Sequence, residues 1–470
     1  MRERGSAGRE MKRGGLGHQT AATVADRESE LADSYHTLLR SDEQLGRSAY
    51  DALVDAHDTM RLSFQGRLLC TVLRPRFLTE ARIAQLRWMS ETLALVMERA
   101  GEYLLSSDAA LDLLGASDEE RAIWAIDPGY PGFTLTSRLD SFMVGDRPKF
   151  VEYNAESPAG IGYTDILADI FAELPCVQEW EHRTSMRRFY GRRHLLDTLL
   201  WAYREWGGRD TPSIAVVDWP HVSTRRDFEL CAEHFRHEGV PTLICDPRSL
   251  EYREGCLWSG SQRITLVYRR VLLHELLAKA QEAQPLLRAY RDGAICMVNS
   301  PRSKLLHKKG LLALLSNRQL GIELSPEERS TIDASIPWTR LVRSEETQYE
   351  GERVHLPGFV LTQQDRLVLK PADDYGGRGV VLGWEVSPGE WEQSLEQALQ
   401  QPYVVQEKVP VPEDYFPVWS GDSIRMLPFM LDTDPLLFRG KLGSVLTRIS
   451  GSALLNVSAG TGSTTPTFAV

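Results

Sequence analysis

The chain has 470 residues, 42% of them hydrophobic and 25% charged. That is the balance of a globular protein, and it is too long for one ordinary core, so two or three packed units are expected. The net charge of -11 argues against a nucleic-acid partner, because binding phosphate backbones needs a dense basic face. A nucleotide substrate stays compatible with it, since such a site needs only a local cluster of Lys and Arg with metal ions.

The six cysteines (Cys70, Cys176, Cys231, Cys245, Cys256, Cys296) are scattered and form no CxxC pair. They read as buried, reduced thiols of a cytoplasmic protein. The first residues are charged and Gly-rich with no apolar core segment, which is not the pattern of a secretory signal. No run approaches the roughly 18 apolar residues of a membrane span, so no membrane partner is expected.

In chain order, residues 1–28 read as a disordered tail, since Gly, Arg and Glu there show no apolar period. Residues 29–125 read as a helical region, in which Ile83, Leu86, Met89, Leu93 and Val96 recur at helical spacing. The two prolines and two glycines of 126–133 end it. Residues 126–299 then alternate strands and helices. Strands are predicted at 213–218, 241–245, 264–268 and 294–298, with helices at 224–238 and 272–291. This is the pattern of a mostly parallel, Rossmann-like sheet, whose ligands lie beyond the carboxyl ends of the strands. Residues 300–470 form a third part with a Lys-rich helix and strands joined by Gly-rich turns. Its last strands are predicted at 454–457 and 467–470.

Five segments carry candidate chemistry. In 137–160, Glu152 and Asn154 alternate with apolar residues and so share one strand face. If Gly145-Asp146-Arg147-Pro148 makes a hairpin turn, Arg138 and Asp140 stand opposite them. Two carboxylates and an amide oxygen suit Mg²⁺, which takes few protein carboxylates plus substrate phosphates. In 367–385 an apolar strand ends at Lys370 and a loop with Gly376, Gly377 and Gly379 returns into a strand. Backbone N–H groups in such a loop can approach phosphates, with the lysine as a fixed charge. In 299–317 Lys304 is placed to reach a phosphate from the first helical turn, while Lys308 and Lys309 read as a solvated basic face. The strand 403–407 runs into Gln406-Glu407, where backbone groups can bind an adenine edge as at an inter-lobe hinge. Near the end, Arg448 and Asn456 sit in or beside strands.

Together these segments resemble the ATP-grasp enzymes, specifically the circularly permuted branch that includes glutathionylspermidine synthase and its bacterial relatives. There, an R-x-D, eleven residues, E-x-N arrangement is matched by Arg138, Asp140, Glu152 and Asn154, and these residues precede the ATP-binding lysines, matched by Lys304 and Lys370. The resemblance covers about 128–470. It implies an α/β (overall α+β) ATP-grasp fold, circularly permuted, with a Rossmann-like pre-ATP-grasp sheet and a helical N-terminal part. It also implies ATP and Mg²⁺ as cofactors, with Asp140, Glu152 and Asn154 as metal ligands and Lys304 and Lys370 on the phosphates. Gly376–Gly379 would form the lid, and Arg138 would act on the acceptor carboxylate or the transferring phosphoryl. Arg448 would act on the tetrahedral intermediate. The implied activity is an ADP-forming carboxylate–amine or carboxylate–thiol ligase acting on small molecules or a peptide. An ATP-dependent phosphotransferase and a catalytically silent scaffold are the alternatives.

Overall fold

The computed structural model describes residues 23–64, 66–373, 377–452 and 462–470. Its first helix, Val24–Ser41, opens with a capping box in which Thr23 and Asp26 satisfy each other's backbone N–H. The helix therefore begins inside the stretch read as a tail. Glu28 anchors it, because this buried carboxylate pairs with Arg76 and Arg82. A second helix, Glu43–Met60, precedes the long helix Glu80–Leu105, in which all five expected apolar positions are buried. A short strand, Arg76–Leu78, interrupts the helices and pairs in parallel with Thr467–Ala469. Three residues are too few to show alternation, which is why it was not legible in the helical region.

The parallel sheet forms as expected, in the order Cys296–Val298, Leu266–Arg269, Ile214–Val217, Thr242–Cys245. The helix Arg225–His237 lies between the flanks Thr224 and Glu238. Two expectations need correction. The strand expected at 264–268 divides, with Gln262–Ile264 in a separate antiparallel sheet and Leu266–Arg269 in the parallel one. The helix expected at 272–291 is two, Leu273–Ala278 and Gln284–Arg291, with Pro285 at the start of the second.

The strands Thr136–Val144 and Arg147–Asn154 form an antiparallel hairpin, turned by Gly145 at φ +58°. This hairpin does not join the parallel sheet that follows it in sequence. It adds to Asp434–Phe438 and Lys441–Ser450 in a seven-stranded sheet that extends through Ser423–Leu431 to Glu413–Ser420. Asn299, the residue after the strand Cys296–Val298, pins the two sheets together. Its Oδ1 accepts from Leu135 and Thr136 N–H, and its Nδ2 donates to the carbonyls of Thr136, Ala155 and Glu156. A four-stranded sheet runs Thr339–Leu341, Tyr403–Glu407, Leu367–Pro371, Val381–Leu382. Tyr403–Glu407 is interior to it. The strand expected at 454–457, with Asn456, lies outside the described residues.

Candidate functional site

Three sheets converge on one cavity of about 1070 Å³. The 136–154 hairpin supplies its charged floor. The register sets Asp140 opposite Glu152 and Arg138 opposite Asn154, so all four side chains share a face. Asp140 is the hub. Arg138 Nε donates to its Oδ1 at 2.7 Å, Asn154 Nδ2 to the same oxygen at 2.8 Å, and Arg448 Nη2 to its Oδ2 at 2.6 Å. Burial opposes its charge, but the two arginines outweigh burial and hold the carboxyl well below the usual range.

Arg448 arrives from the strand Lys441–Ser450 and also donates to Asp432 Oδ2 at 2.6 Å. Its Nη2 lies 3.0 Å from Asp434 Oδ2. Three acids thus face two arginines. Burial raises both Asp432 and Asp434 above ordinary values. For Asp434 the neighbouring Asp432 and Asp140 push further, well above the carboxylate range.

The lysines divide between two positions. Lys370 ends the strand Leu367–Pro371 and reaches Gln406 Oε1 at 2.6 Å and Val151 O at 3.2 Å. Burial lowers it to about 8, although Glu152 opposes the shift. Lys309 Nζ lies 3.0 Å from Glu152 Oε1. Burial would raise Glu152, yet Lys309 and Lys370 together leave it below its ordinary value. The solvated face expected for Lys308 and Lys309 is therefore incorrect: both are buried, and Lys308 pairs with Glu120 and Asp373. The helix Ser303–His307 ends at Lys308 in an extended conformation, and the chain turns inward before Gly310–Ser316. Lys304 is fully buried, pairs with Glu156 and Asp373, and is not among the cavity's lining residues. Lys309 and Lys370 do line it.

Gly377, Arg378 and Val380 of the glycine loop line the same cavity. Gly377 and Gly379 have φ of +76° and +65°, and a Cβ on Gly379 would stand 2.7 Å from Pro371 Cγ, so glycine is required at that position. Gly376 lies outside the described residues. Gln406 and Glu407 line the cavity, with Gln406 Nε2 donating to Thr339 Oγ1 at 3.1 Å. Sequence reasoning missed Lys309, Asp432 and Asp434. The DTD triplet of 432–434, whose last residue opens the strand Asp434–Phe438 paired with Arg448's strand, was the available signal.

Among the described residues, no group of three or more His, Cys, Asp or Glu is arranged to hold a metal ion. The available donors are two carboxylates and an amide on one strand-pair face. Their all-oxygen chemistry fits Mg²⁺ if substrate phosphates and water complete the shell. No helix among the described residues is long and apolar enough to cross a membrane.

The architecture is mixed α/β, with a parallel sheet and two antiparallel sheets around a charged cleft. No family model matches the chain. It is 28% identical over 270 residues to a Frankia alni protein provisionally named glutamate–cysteine ligase 2-3, covering 54% of this chain and 29% of that protein. It is 25% identical over 347 residues to an uncharacterised Synechocystis sp. protein, covering 67% and 64% respectively. The chain thus spans less than two thirds of either relative. Among solved structures, a glutathione synthetase-like effector from Globodera pallida matches with a TM-score of 0.56 and 13% identity, over 91% of this chain and 98% of that one. That likeness is one of fold.

Proposed function

We propose that this chain is an ATP-dependent ligase of the ATP-grasp type, activating a carboxylate as an acyl phosphate for capture by an amine or thiol. The observation that carries the reading is the convergence of Asp140, Glu152 and Asn154 with Lys309, Lys370 and Gly377 in one cavity. The fold likeness to a glutathione synthetase-like protein and the ligase name of the Frankia alni relative support it. Within that class, the order of carboxylates before lysines favours the circularly permuted branch.

Asp140, Glu152 and Asn154 would hold Mg²⁺, which supplies charge neutralisation on the transferring phosphoryl. Lys370 and Lys309 bind the phosphates, and the glycine turn covers them and excludes water from a hydrolysable intermediate. Gln406 and Glu407 take the adenine edge. Lys304 acts from behind, holding Glu156 and Asp373 in place. Arg138 orients the reacting carboxylate, and Arg448 stabilises the tetrahedral intermediate.

The test is ADP release by the purified chain with Mg²⁺ and ATP, screened against amino acids, small acids and polyamines. Release that requires both an acid and a nucleophile supports the ligase. Release with a hydroxyl acceptor alone would make it a phosphotransferase, and absence of Mg²⁺-dependent ATP affinity would make it a scaffold.

A further inference from the structure

Two residues at the carboxyl edge of the parallel sheet bring opposite charges to the cavity and take no part in the nucleotide or metal roles above. Val217 and Arg269 are register partners on adjacent parallel strands. Asp218 and Arg270 are the next residues along, and Arg270 N–H donates to Val217 O at 2.9 Å. Adjacent strands lie about 4.8 Å apart, so one α-carbon with two charged substituents can reach both side chains. Both line the cavity, at the sheet edge where open α/β folds take ligands.

Arg270 is only 5% exposed. Its Nη1 donates to Pro158 O at 2.6 Å and to Tyr268 Oη at 3.2 Å, while its buried Nε has no hydrogen-bond partner. Two further cavity arginines, Arg138 and Arg448, are each gripped by carboxylates at 2.6–2.7 Å. Arg270 makes no such close ion pair among the described residues; Asp227 and Asp218 offset its charge only at longer range. An incoming anion would give the guanidinium a direct, charge-assisted partner. Asp218 is 8% exposed, and its Oδ1 accepts from Trp219 N–H at 2.8 Å. Burial lifts it to about 6 against the pull of Arg270, with Glu275, a further cavity residue, adding to the rise. A cation beside Asp218 favours its charged form.

We propose that Asp218 and Arg270 form the subsite for the α-amino-acid group of one substrate, Arg270 taking its carboxylate and Asp218, with Glu275, its ammonium. This rests on the ligase reading and narrows it. A polyamine would set a second ammonium against Arg270, and a simple diacid would set a carboxylate against Asp218 and Glu275. A zwitterion satisfies all three groups. Free amino acids carry that group, and so does the γ-glutamyl end of a γ-linked peptide.

The test is calorimetric titration of the intact chain with the common L-amino acids, their decarboxylated amines and spermidine. At least one amino acid is expected to bind. Its decarboxylated amine should bind about tenfold or more weakly, the loss that follows removal of a charge-assisted hydrogen bond. Arg270→Met should erase that preference. If Arg270→Met fails to fold, Arg270→Lys and Asp218→Asn serve in its place, each weakening amino-acid binding in a protein of unchanged circular dichroism. Failure of every amino acid to bind would overturn the subsite, as would spermidine binding at least as tightly or unchanged binding by a folded variant. Mg²⁺-dependent ATP affinity, titrated separately on the same sample, distinguishes this failure from failure of the ligase reading.

Discussion

Lys309 Nζ stands 3.0 Å from Glu152 Oε1, so a lysine and a carboxylate neutralise each other on the cavity floor. In the ligase reading Glu152 would hold the metal and Lys309 the phosphates, so the pair would separate when nucleotide binds. Glu152→Ala is therefore expected to abolish ADP release while the chain stays folded. Losing one ligand leaves phosphate charge uncompensated, which costs several kcal/mol in the transition state, or about 10³-fold in rate. Wild-type ADP release from a folded Glu152→Ala protein would remove the metal assignment.

Lys370 gives the site a pH dependence with a definite sign. Burial lowers its pKa from 10.5 to about 8, and only its protonated form attracts phosphate. ATP affinity should fall as pH rises through about 8, by up to about tenfold per unit where one proton is required. Stability moves the other way. Between about 8 and 10.5 the unfolded chain holds a proton that the folded chain has released, so Lys370 favours folding increasingly as pH rises through that window. Lys370→Met should remove both slopes, with little loss of melting temperature at neutral pH. Calorimetry of ATP binding at a series of pH values checks this, and an unaltered slope in the variant assigns it elsewhere.

The arginine–aspartate cluster predicts an asymmetry between two substitutions. Asp434 faces Asp432 and Asp140, and its pKa lies well above the carboxylate range. Asp434→Asn keeps the bond in which Oδ1 accepts from Ser141 N–H at 2.9 Å, so its cost should stay near 1 kcal/mol. Arg448→Met leaves Asp432 without its cation and Asp140 with Arg138 alone, and removing one partner of a buried pair costs about 3–5 kcal/mol. Thermal melts of the two variants should separate clearly, with Arg448→Met much the lower. Equal shifts would show that the acids, rather than the arginine, organise the cluster.

How much of this was legible in the sequence depended on the range of each signal. The 136–154 hairpin could be read because alternation and its turn are local, and so could the parallel sheet of 214–298. Lys370 was recognisable because a lysine ending an apolar strand is conspicuous. Lys309 was read as surface because three lysines on one predicted helix suggest a solvated face. The break at Lys308 that turns it inward depends on packing with Glu120 and Asp373, which lie far off in the chain. Asp432 and Asp434 reach Arg138 and Asp140 only through pairing of strands nearly 300 residues apart. No local pattern encodes that meeting.

The last prediction concerns the products. A cavity lined by carboxylates, lysines and Gly377 is suited to holding the β and γ phosphates and shielding a reactive intermediate from water. The ligase reading makes that intermediate an acyl phosphate. Attack by the carboxylate on the γ phosphorus leaves ADP, and attack by the nucleophile on the acyl carbon then expels inorganic phosphate. None of the side chains assigned above is directed to the α phosphorus, which an adenylate mechanism would require. With acid and nucleophile both supplied, ADP and phosphate should therefore accumulate in equal amounts, each matching the ligated product. Phosphorus NMR of the reaction mixture reads this directly. AMP and pyrophosphate in their place would overturn the acyl-phosphate mechanism and the roles given to Lys309 and Lys370, while leaving the hairpin register and the amino-acid subsite to be judged on their own tests.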